Sequence, residues 1–310
     1  MMLIGIDHGN KQIKTAHSVM VSGLTKHDAK PIAGEMLLFD GCYYTPSENR
    51  LPFAWDKTKN EDFFILSLFA IAHELEERGV CHDGSAIPID LAVGLPPADY
   101  GKMHQRFEEY FRRPRSVNGV TEFELNGKTW CIQIGRVMAF PQDYAAAITD
   151  FSAVRAMRRA VVLDIGGMTA DYLLLNSGKL DLSVCGSLEH GIITLYNRIT
   201  EQVRGDYGML LDDDTIDQLL QHNDVLGSPE IMQLTHRCAT AFARDLLGKL
   251  RERQIDLRIT PTVFVGGGAI RLYPFFKATG MLGQSSLIEN ICANALGYEK
   301  LFKASQQISG

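Results

Sequence analysis

The sequence predicts an α/β protein built from two similar halves, and three observations support this. Strand-like apolar runs alternate with helix-like segments along the 310 residues. The stretch VVLDIGGMTADYLLL, residues 161–175, repeats the plan of LIGIDHGNKQIKTAHSV, residues 3–19: an apolar strand, Asp, one residue, Gly, a polar turn and a second apolar run. A third glycine turn, residues 266–268, follows the strand TVFV. A chain of this length accommodates two domains of about 150 residues.

Composition places the chain among soluble globular proteins and excludes several classes. It is 45% apolar and 22% charged, with a net charge of -6, which argues against direct, non-specific binding to nucleic acid. Six dispersed cysteines without a C-x-x-C pair indicate a reducing compartment rather than disulfides or a zinc site. The start MMLIGIDHGN does not fit a secretion signal, and no apolar run reaches the ~20 residues that span a bilayer. We therefore expect a cytoplasmic protein without a membrane partner.

The elements of the first half follow from apolar patterning and turn residues. An acidic first turn and a basic end favour the helix of this half, and Asn126-Gly127 is a typical hairpin turn. The predicted elements are a hairpin of strands 2–6 and 13–19 with its turn at 8–11, loops with short strands over 31–56, a helix over 60–78, a buried strand over 89–97 ended by glycine and prolines, a hairpin around 126–127, and a helix opened by Pro141.

The second half repeats the hairpin and then becomes mainly helical. Ser228 followed by Pro229 is typical of a helix start. The predicted elements are strands within 161–175 and 179–186 around a turn at 176–178, helices over 188–203, 212–222 and 230–253, a strand over 262–265, a helix after the glycine turn, and a closing helix over 289–304.

The two Asp-x-Gly turns predict a site for a metal-bound polyphosphate. Glycine lets the backbone approach a ligand closely, and successive N–H groups form an anion-binding concavity. The carboxylates of Asp7 and Asp164 repel phosphate, but they can hold Mg²⁺, largely through its waters. Lys11 adds a cation to the first turn and Thr169 a hydroxyl to the second. The alternative for either turn alone is a tight hairpin that merely needs glycine.

The third glycine turn predicts contact with a nucleotide. A strand followed by glycines and a helix presents a helix N-terminus and bare backbone to the α-phosphate and the flat face of a purine. The pattern is not G-x-G-x-x-G with a later acidic residue, and the sequence contains no G-x-x-x-x-G-K-[ST]. Dinucleotide-binding and P-loop proteins are therefore excluded.

These stretches together resemble one known superfamily. IGIDHGNKQIKTA, LDIGGMTADYLL and FVGGGA are similar to the first phosphate, second phosphate and adenosine motifs of the actin, sugar kinase and heat-shock ATPase superfamily. FPQDYAAAI and ENICANALGYEK resemble its two connecting helices. Within it, D-x-G-N-x-x-x-K, AVGLP and A-N-A-x-G-Y resemble bacterial actin-like plasmid-segregation proteins of the ParM/StbA type. The resemblance implies two actin-like, ribonuclease H-like domains flanking a nucleotide cleft: 1–152, with the helix of about 294–310 packing back on it, and 153–293.

The resemblance also implies roles for individual residues. Asp7 and Asp164 would organise Mg²⁺, and Gly9, Asn10 and Lys11 would contact the β- and γ-phosphates. Gly166, Gly167 and Thr169 would contact the phosphates from the other half, and Gly266, Gly267 and Gly268 would contact the α-phosphate and adenosine. Gln142, or Asp143 as the alternative, would orient the attacking water, and Asp171 would polarise that water or the turn. His8 departs from the usual small residue, and either phosphate or solvent is its expected partner.

The implied activity is hydrolysis of ATP or GTP with Mg²⁺ and water as the nucleophile. The implied partners are further copies of the chain, in a head-to-tail filament, and a DNA-binding adaptor on centromere-like plasmid DNA. Three alternatives share the fold: another bacterial actin-like scaffold, a small-molecule kinase, for which Asp99 is a candidate base, and a chaperone-type ATPase. Pro97 and Ala98 do not suggest a sugar site, and the short insertions disfavour a chaperone. A divisome protein would carry an amphipathic membrane helix, which LFKASQQISG does not resemble.

Overall fold

The computed structural model describes residues 1–52, 54–80, 84–113, 118–150 and 157–308. The chain divides into two compact units: unit 1 is residues 1–149 with 292–310, and unit 2 is residues 150–291. The strands are β1 Met2–His8, β2 Gln12–Lys14, β3 Val19–Val21, β4 Leu24–His27, β5 Leu37–Phe39, β6 Cys42–Pro46, β7 Ile87–Leu95, β8 Val120–Leu125, β9 Lys128–Pro141, β10 Arg159–Ile165, β11 Ala170–Asn176, β12 Lys179–Leu188, β13 Thr262–Val265 and β14 Ser285–Leu287. The helices are α1 Asp62–Glu77, α2 Pro97–Arg112, α3 Tyr144–Ile148, α4 Ile192–Tyr207, α5 Asp213–Leu220, α6 Pro229–Glu252, α7 Gly267–Ala278 and α8 Ala293–Ile308.

Both units contain the same sheet topology. In unit 1 the order β3-β2-β1-β7-β9 has antiparallel pairs on the β2 side of β1 and parallel pairs on the β7 side. In unit 2 the order β12-β11-β10-β13-β14 repeats this arrangement around β10. Unit 1 adds β8, β5, β6 and β4 beyond β9. The similarity of the two hairpins in the sequence therefore corresponds to a similarity of two whole sheets.

The central strands are buried because helices cover their sheets. Ile4, Ile6, Leu91 and Val93 in unit 1 have no exposed surface. Helix α1 is apolar nearly all round and buries most of its length, from Phe63 to Leu75. The continuous apolar runs of β1 and β7 are typical of parallel strands that are covered on both faces of their sheet. In the described part of the chain, no helix is both long and apolar enough to cross a bilayer.

The closing helix α8 returns to unit 1, and its motif A-N-A-x-G-Y is a set of close contacts. A Cβ at Gly5 would lie 2.1 Å from the Ala295 carbonyl oxygen. A Cβ at Gly297 would lie 1.9 Å from the carbonyl oxygen of Ala145 in α3. The ring of Tyr298 occupies the space beside Gly94 of β7. Small residues therefore let α8 approach β1, β7 and α3 at backbone distance.

A buried ionic network ties α8 to α1. Arg78 donates through Nε to Glu74 and through Nη2 to Glu299, both at 2.7 Å. Burial opposes ionisation of Glu74, but hydrogen bonds from Thr15, His17 and Arg78 outweigh it and hold the pKa of its carboxyl below the ordinary value. The backbone N–H of Gly5 also donates to Glu299, so this network fixes the middle of β1.

Three sequence predictions about elements are corrected. Pro141 does not open a helix; it ends β9, and α3 begins at Tyr144. The continuation predicted there falls partly on residues 151–156, outside the described residues. The return strand predicted over 13–19 is split into β2 and β3, because Thr15 accepts the Ser18 backbone N–H through its hydroxyl and turns the chain. Residues 97–112, for which no helix was predicted, form α2, with Pro97 in its first turn.

Candidate functional site

Asp7 lies at the carboxyl end of β1, where the first hairpin turns. It pairs opposite Lys14 across the hairpin, and His8 pairs opposite Ile13, so residues 9–12 connect the two paired positions. A Cβ at Gly9 would lie 2.6 Å from the Gln12 carbonyl oxygen, which shows that closure of the hairpin requires glycine here. The Asp7 side chain is buried, and its Oδ2 lies 4.0 Å from the Lys14 ammonium.

Gln142 reaches Asp7 because three parallel strands end at one edge. The strands β1, β7 and β9 run side by side, and Leu95 pairs with Pro141 at their carboxyl ends. The backbone N–H of Gln142 donates to the Leu95 carbonyl at 2.8 Å. Its side-chain Nε2 then donates to Asp7 Oδ1 at 2.9 Å. Two residues that the sequence predicted for the site, 135 positions apart, are therefore in contact.

Asp143, the alternative to Gln142, has a different position. Its backbone has φ 63, and its N–H donates to Oδ1 of Asn294 at 2.9 Å. The residue is only 2% exposed. It joins α3 to α8, whereas Gln142 makes the contact with Asp7.

His8 is a core residue, which corrects the expectation that it contacts phosphate or solvent. Its ring is fully buried, stacks on Phe111 at 4.9 Å and meets Phe107 edge-on. Because the Ser67 hydroxyl donates to the Phe63 carbonyl, it accepts from His8 Nε2 at 2.8 Å. Burial, with a smaller effect of the Lys57 cation, lowers the pKa of His8 to about 3. Successive side chains of a strand face opposite sides, so His8 anchors β1 from the face opposite Asp7.

The second hairpin turn, residues 166–169, is held from behind by the start of α4. The N–H groups of Gly191, Ile192 and Ile193 donate to the carbonyls of Met168, Gly166 and Gly167, each at 3.0 Å. In a trans peptide the N–H points opposite to the C=O. The N–H groups of residues 167–169 therefore point away from α4, the orientation that the predicted anion-binding concavity requires.

Sequence reasoning missed Gly191, which makes this arrangement possible. A Cβ there would lie 2.3 Å from the Gly167 carbonyl oxygen. The signal was the glycine at a helix start directly after His190, whose ring stacks on Phe242 at 4.3 Å. Without glycine at 191, the helix could not approach the turn closely enough to bind its carbonyls.

Two carboxylates stand side by side next to this turn. Asp164 pairs directly opposite Asp171 across the β10–β11 ladder. The Thr169 hydroxyl donates to Asp171 Oδ2 at 2.9 Å. Directly opposite like charges destabilise a sheet, and a bound cation would relieve that cost. Asp164, Thr169 and Asp171, all predicted for the site, therefore lie together in unit 2.

The three glycines at the start of α7 differ in what surrounds them. Gly266 has φ 90, and its missing Cβ would lie 1.9 Å from Asp164 Oδ1. The missing Cβ of Gly268 would lie 2.5 Å from the Ile165 carbonyl oxygen. A Cβ at Gly267 would lie 3.7 Å from Nη1 of Arg271, which is an ordinary van der Waals contact. Gly266 and Gly268 thus allow α7 to pack on β10, and Gly267 is the glycine with room for a ligand.

A polar network beside Gly267 was not predicted. Arg271 donates to the Gly267 carbonyl at 3.1 Å and pairs with Asp217 at 2.7 Å. Tyr196 also donates to Asp217. Burial and the hydrogen bond to Asp217 raise the pKa of the Tyr196 hydroxyl. The network joins α4, α5 and α7 around the first turn of α7, and no short motif marks it because its members are distant in sequence.

The carboxylates fit a magnesium ion that keeps most of its waters. Among the described residues, no group of three or more His, Cys, Asp or Glu side chains is arranged to hold a metal. Mg²⁺ in phosphate sites is usually bound through one or two carboxylates plus phosphate oxygens and water. Asp7 in unit 1 and Asp164 in unit 2 are each a carboxylate beside a glycine turn, and a carboxylate is the kind of ligand that such an ion takes.

The fold and site define a class of protein. Each unit has a ribonuclease H-like sheet with a carboxylate and a glycine turn at the end of its central strand, which is the two-domain actin-like architecture. The family model "Actin like proteins N terminal domain" matches residues 32–144, and "Archaeal actin homologue MreB-like, C-terminal" matches residues 162–278. The chain belongs to the actin-like proteins.

Solved structures agree with this family at low sequence identity. An archaeal actin homologue, Ta0583, in complex with ADP, has a TM-score of 0.77 and 18% identity, covering 98% of this chain and 100% of that one. The Alp12 filament structure has a TM-score of 0.71 and 15% identity, covering 98% of both chains. Bacillus thuringiensis ParM with AMPPNP has a TM-score of 0.68 and 15% identity, covering 99% of both. By sequence, no curated protein matches the chain.

Proposed function

We propose that this chain is a Mg²⁺-dependent hydrolase of ATP or GTP that assembles head to tail into cytoplasmic filaments. The observation that carries the proposal is the repeated half-site: Asp7 and Asp164, at equivalent strand ends, each stand beside a glycine turn. Both half-sites act on one nucleotide. The ADP and AMPPNP complexes of two similar structures, and the filament formed by a third, support this function.

The residues of this chain supply binding and orientation. The N–H groups of residues 167–169, with residues 9–11 of unit 1, bind phosphate oxygens, and the open space at Gly267 receives the nucleoside end. Bound Mg²⁺ would neutralise charge on the β- and γ-phosphates.

Gln142 positions the attacking water. Its Nε2 donates to Asp7, so the amide is held with Oε1 as the remaining acceptor. That oxygen accepts a hydrogen bond from the water and aligns the water with the γ-phosphate, the role that phosphoryl transfer requires of such a residue. Asp171, whose carboxylate accepts a hydrogen bond from the Thr169 hydroxyl, polarises that water or the turn of residues 166–169.

The biological role that we propose is segregation of plasmid DNA through a DNA-binding adaptor. The net charge of -6 disfavours direct contact between the filament and DNA, so a separate protein bound to centromere-like DNA makes that contact. A mobility-shift assay with purified chain and duplex DNA at physiological salt should show no complex. Tight binding of DNA by the chain alone would contradict the adaptor.

Assembly tests the main proposal. Purified chain with Mg²⁺ and ATP, GTP or AMPPNP should scatter light and pellet, and EDTA should prevent this. The same measurements with candidate sugars distinguish the alternative of a small-molecule kinase. Sugar-dependent release of ADP without any pelleting would show that the filament proposal is wrong.

Substitution of Asp164 tests whether its carboxylate holds Mg²⁺. Asp164→Ala should lower Mg²⁺-dependent hydrolysis by about tenfold or more, because the ion loses a carboxylate that holds it. Far-ultraviolet circular dichroism should stay unchanged, since the substitution shortens a partly buried side chain and adds no bulk. Asp245→Ala, an exposed carboxylate on α6, is the matched control and should keep full activity. Unchanged turnover in Asp164→Ala would contradict the metal role.

A further inference from the structure

A groove opens in unit 2 at the end of the sheet where β10 begins. It has a volume of about 560 Å³ and is lined by Arg158, Arg159, Leu174, Asn176, Asp181 and Val184. The β11–β12 register shifts between Leu173 and Leu174, which displaces residues 182–184 from the ladder and shapes this groove. Val184 is partly exposed and gives it apolar surface, Leu174 lies at its base with only 4% of its surface exposed, and both arginines are exposed. The carboxylate of Asp181 is already hydrogen-bonded to Asn176 and Ser183. The groove therefore suits an aliphatic side chain accompanied by carboxylates.

Residues 206–214, called the tip below, have that composition. Helix α4 ends at Gly208, whose left-handed backbone at φ 69 turns the chain. Leu210 then projects with 74% of its surface exposed, while the neighbouring Leu211 packs against the core of unit 2. Exposed carboxylates flank it on both sides: Asp206, Asp212, Asp213 and Asp214. Leu210, with the exposed Tyr207 and Met209 beside it, gives the tip an apolar centre among carboxylates, which is the complement of the groove.

The tip and the groove lie at opposite ends of unit 2. Helix α4 starts at the turn of residues 166–169, at the carboxyl end of β10. It runs antiparallel to α6: Arg198 of α4 pairs with Asp245 of α6, and Gln202, nearer the end of α4, contacts the earlier Cys238 of α6. Beyond its own carboxyl end, α6 leads to Thr262, which pairs with Val161 near the start of β10. Helix α4 therefore points away from the sheet.

The separation prevents contact within one copy. Helix α4 has 16 residues and β10 has 7. At the usual rise per residue, the tip lies roughly 40 Å from the groove. A second copy of the chain can bring these two surfaces together.

We propose that the tip of one copy docks into the groove of the next. Leu210 packs against Val184, and the carboxylates of the tip face Arg158 and Arg159. This inference rests on the proposed function, since it names the surfaces that meet in the filament. A contact between two different surfaces at opposite ends repeats without closing, which produces a linear polymer. Because its charges are at the surface, the contact weakens as salt rises.

Two variants test the proposal, each damaging one surface. Arg158→Glu with Arg159→Glu alters the groove, and Asp206→Arg with Leu210→Ser alters the tip. Each variant alone should require at least a tenfold higher concentration to pellet with Mg²⁺ and nucleotide. An equal mixture of the two should form dimers in sedimentation velocity, because one intact tip and one intact groove remain in the pair.

Controls separate this contact from folding and from the proposed function. Arg244→Glu and Glu252→Lys, exposed charges on α6, should assemble like the unaltered chain. Circular dichroism and binding of a fluorescent nucleotide should be unchanged in both test variants. If the unaltered chain assembles and both variants assemble equally well, or if their mixture stays monomeric, the docking proposal is wrong and the proposed function stands. If the unaltered chain never assembles with any nucleotide, the proposed function is wrong.

Discussion

At the scale of single residues, the three glycines at residues 266–268 show that one motif can combine two requirements. Asp164 and the Ile165 carbonyl fill the space beside Gly266 and Gly268, so those positions are fixed by packing. Gly267 has open space, so only there would a side chain meet a ligand. A sequence displays three identical letters, and the distinction between them depends on what β10 places opposite each.

Alanine substitutions should separate these two requirements. Gly266→Ala should destabilise the protein by about 2 kcal/mol or more, because φ 90 is strained for alanine and its Cβ would collide with Asp164. Gly267→Ala should leave the unfolding midpoint unchanged and weaken nucleotide binding by about tenfold. Chemical denaturation and nucleotide titration measure the two effects. Equal loss of stability in both variants would contradict this assignment.

His8 makes stability depend on pH. Its pKa is about 3 in the folded chain, and an unfolded histidine has a pKa near 6.5. Above pH 6.5 the ring is neutral in the folded and in the unfolded state, so it does not lower the free energy of unfolding. As the pH falls below 6.5, the unfolded chain binds a proton that the folded chain does not, and the free energy of unfolding falls by about 1.4 kcal/mol per pH unit.

His8→Phe should remove this contribution. Urea unfolding without nucleotide measures the free energy of unfolding at pH 6.5 and at pH 5. Its decrease between these two pH values should be smaller by about 2 kcal/mol in the variant than in the unaltered chain. Phenylalanine fits among Phe63, Phe107 and Phe111, so the variant should still fold. The same decrease in both proteins would mean that His8 can take up a proton in the folded state.

At the scale of elements, close contacts rather than propensity decide how α8 packs. Gly5, Gly94 and Gly297 bring α8 against β1, β7 and α3 at distances that no Cβ would allow. The elements that the sequence predicted well, such as α1 and the strands around residues 161–175, have strong periodicity or long apolar runs. Helix α2 was missed because its opening prolines indicated an end to the preceding strand, although proline is also favourable in the first turn of a helix.

Two helix glycines provide a matched test of this packing. Gly297→Ala should lower the free energy of unfolding by about 2 kcal/mol or more, because its Cβ would meet the Ala145 carbonyl oxygen at 1.9 Å. Gly248→Ala in α6 meets no atom within 4 Å and should raise stability by up to about 1 kcal/mol through helix propensity. Thermal and urea unfolding measure both. A stabilising Gly297→Ala would show that α8 does not pack this closely.

At the scale of the whole molecule, the repeated topology explains why each unit carries one carboxylate beside a glycine turn. In both units the central strand ends in a carboxylate beside a glycine turn. If both halves act on one nucleotide, as proposed, neither half should work alone. Their contributions should then be strongly non-additive.

A double-mutant cycle tests this dependence. Asp7→Asn and Asp164→Asn should each lower Mg²⁺-dependent hydrolysis by about tenfold or more, and the double variant should be little worse than either, since both act on one bound ion. Single-turnover hydrolysis is the measurement. If the fold-losses of hydrolysis in the two single variants multiply in the double variant, the two aspartates act at independent sites.

By itself, the sequence determined the α/β class, the repeated hairpin plan and the residues at its turns, because these depend on neighbouring residues and local periodicity. Only the tertiary structure decided that Gln142 contacts Asp7, that His8 is a buried core residue, and that Gly191 lets α4 hold the turn of residues 166–169. Such contacts join positions distant along the chain, and their geometry depends on which strands lie side by side and where they end. A single sequence records the residue types but not those distances.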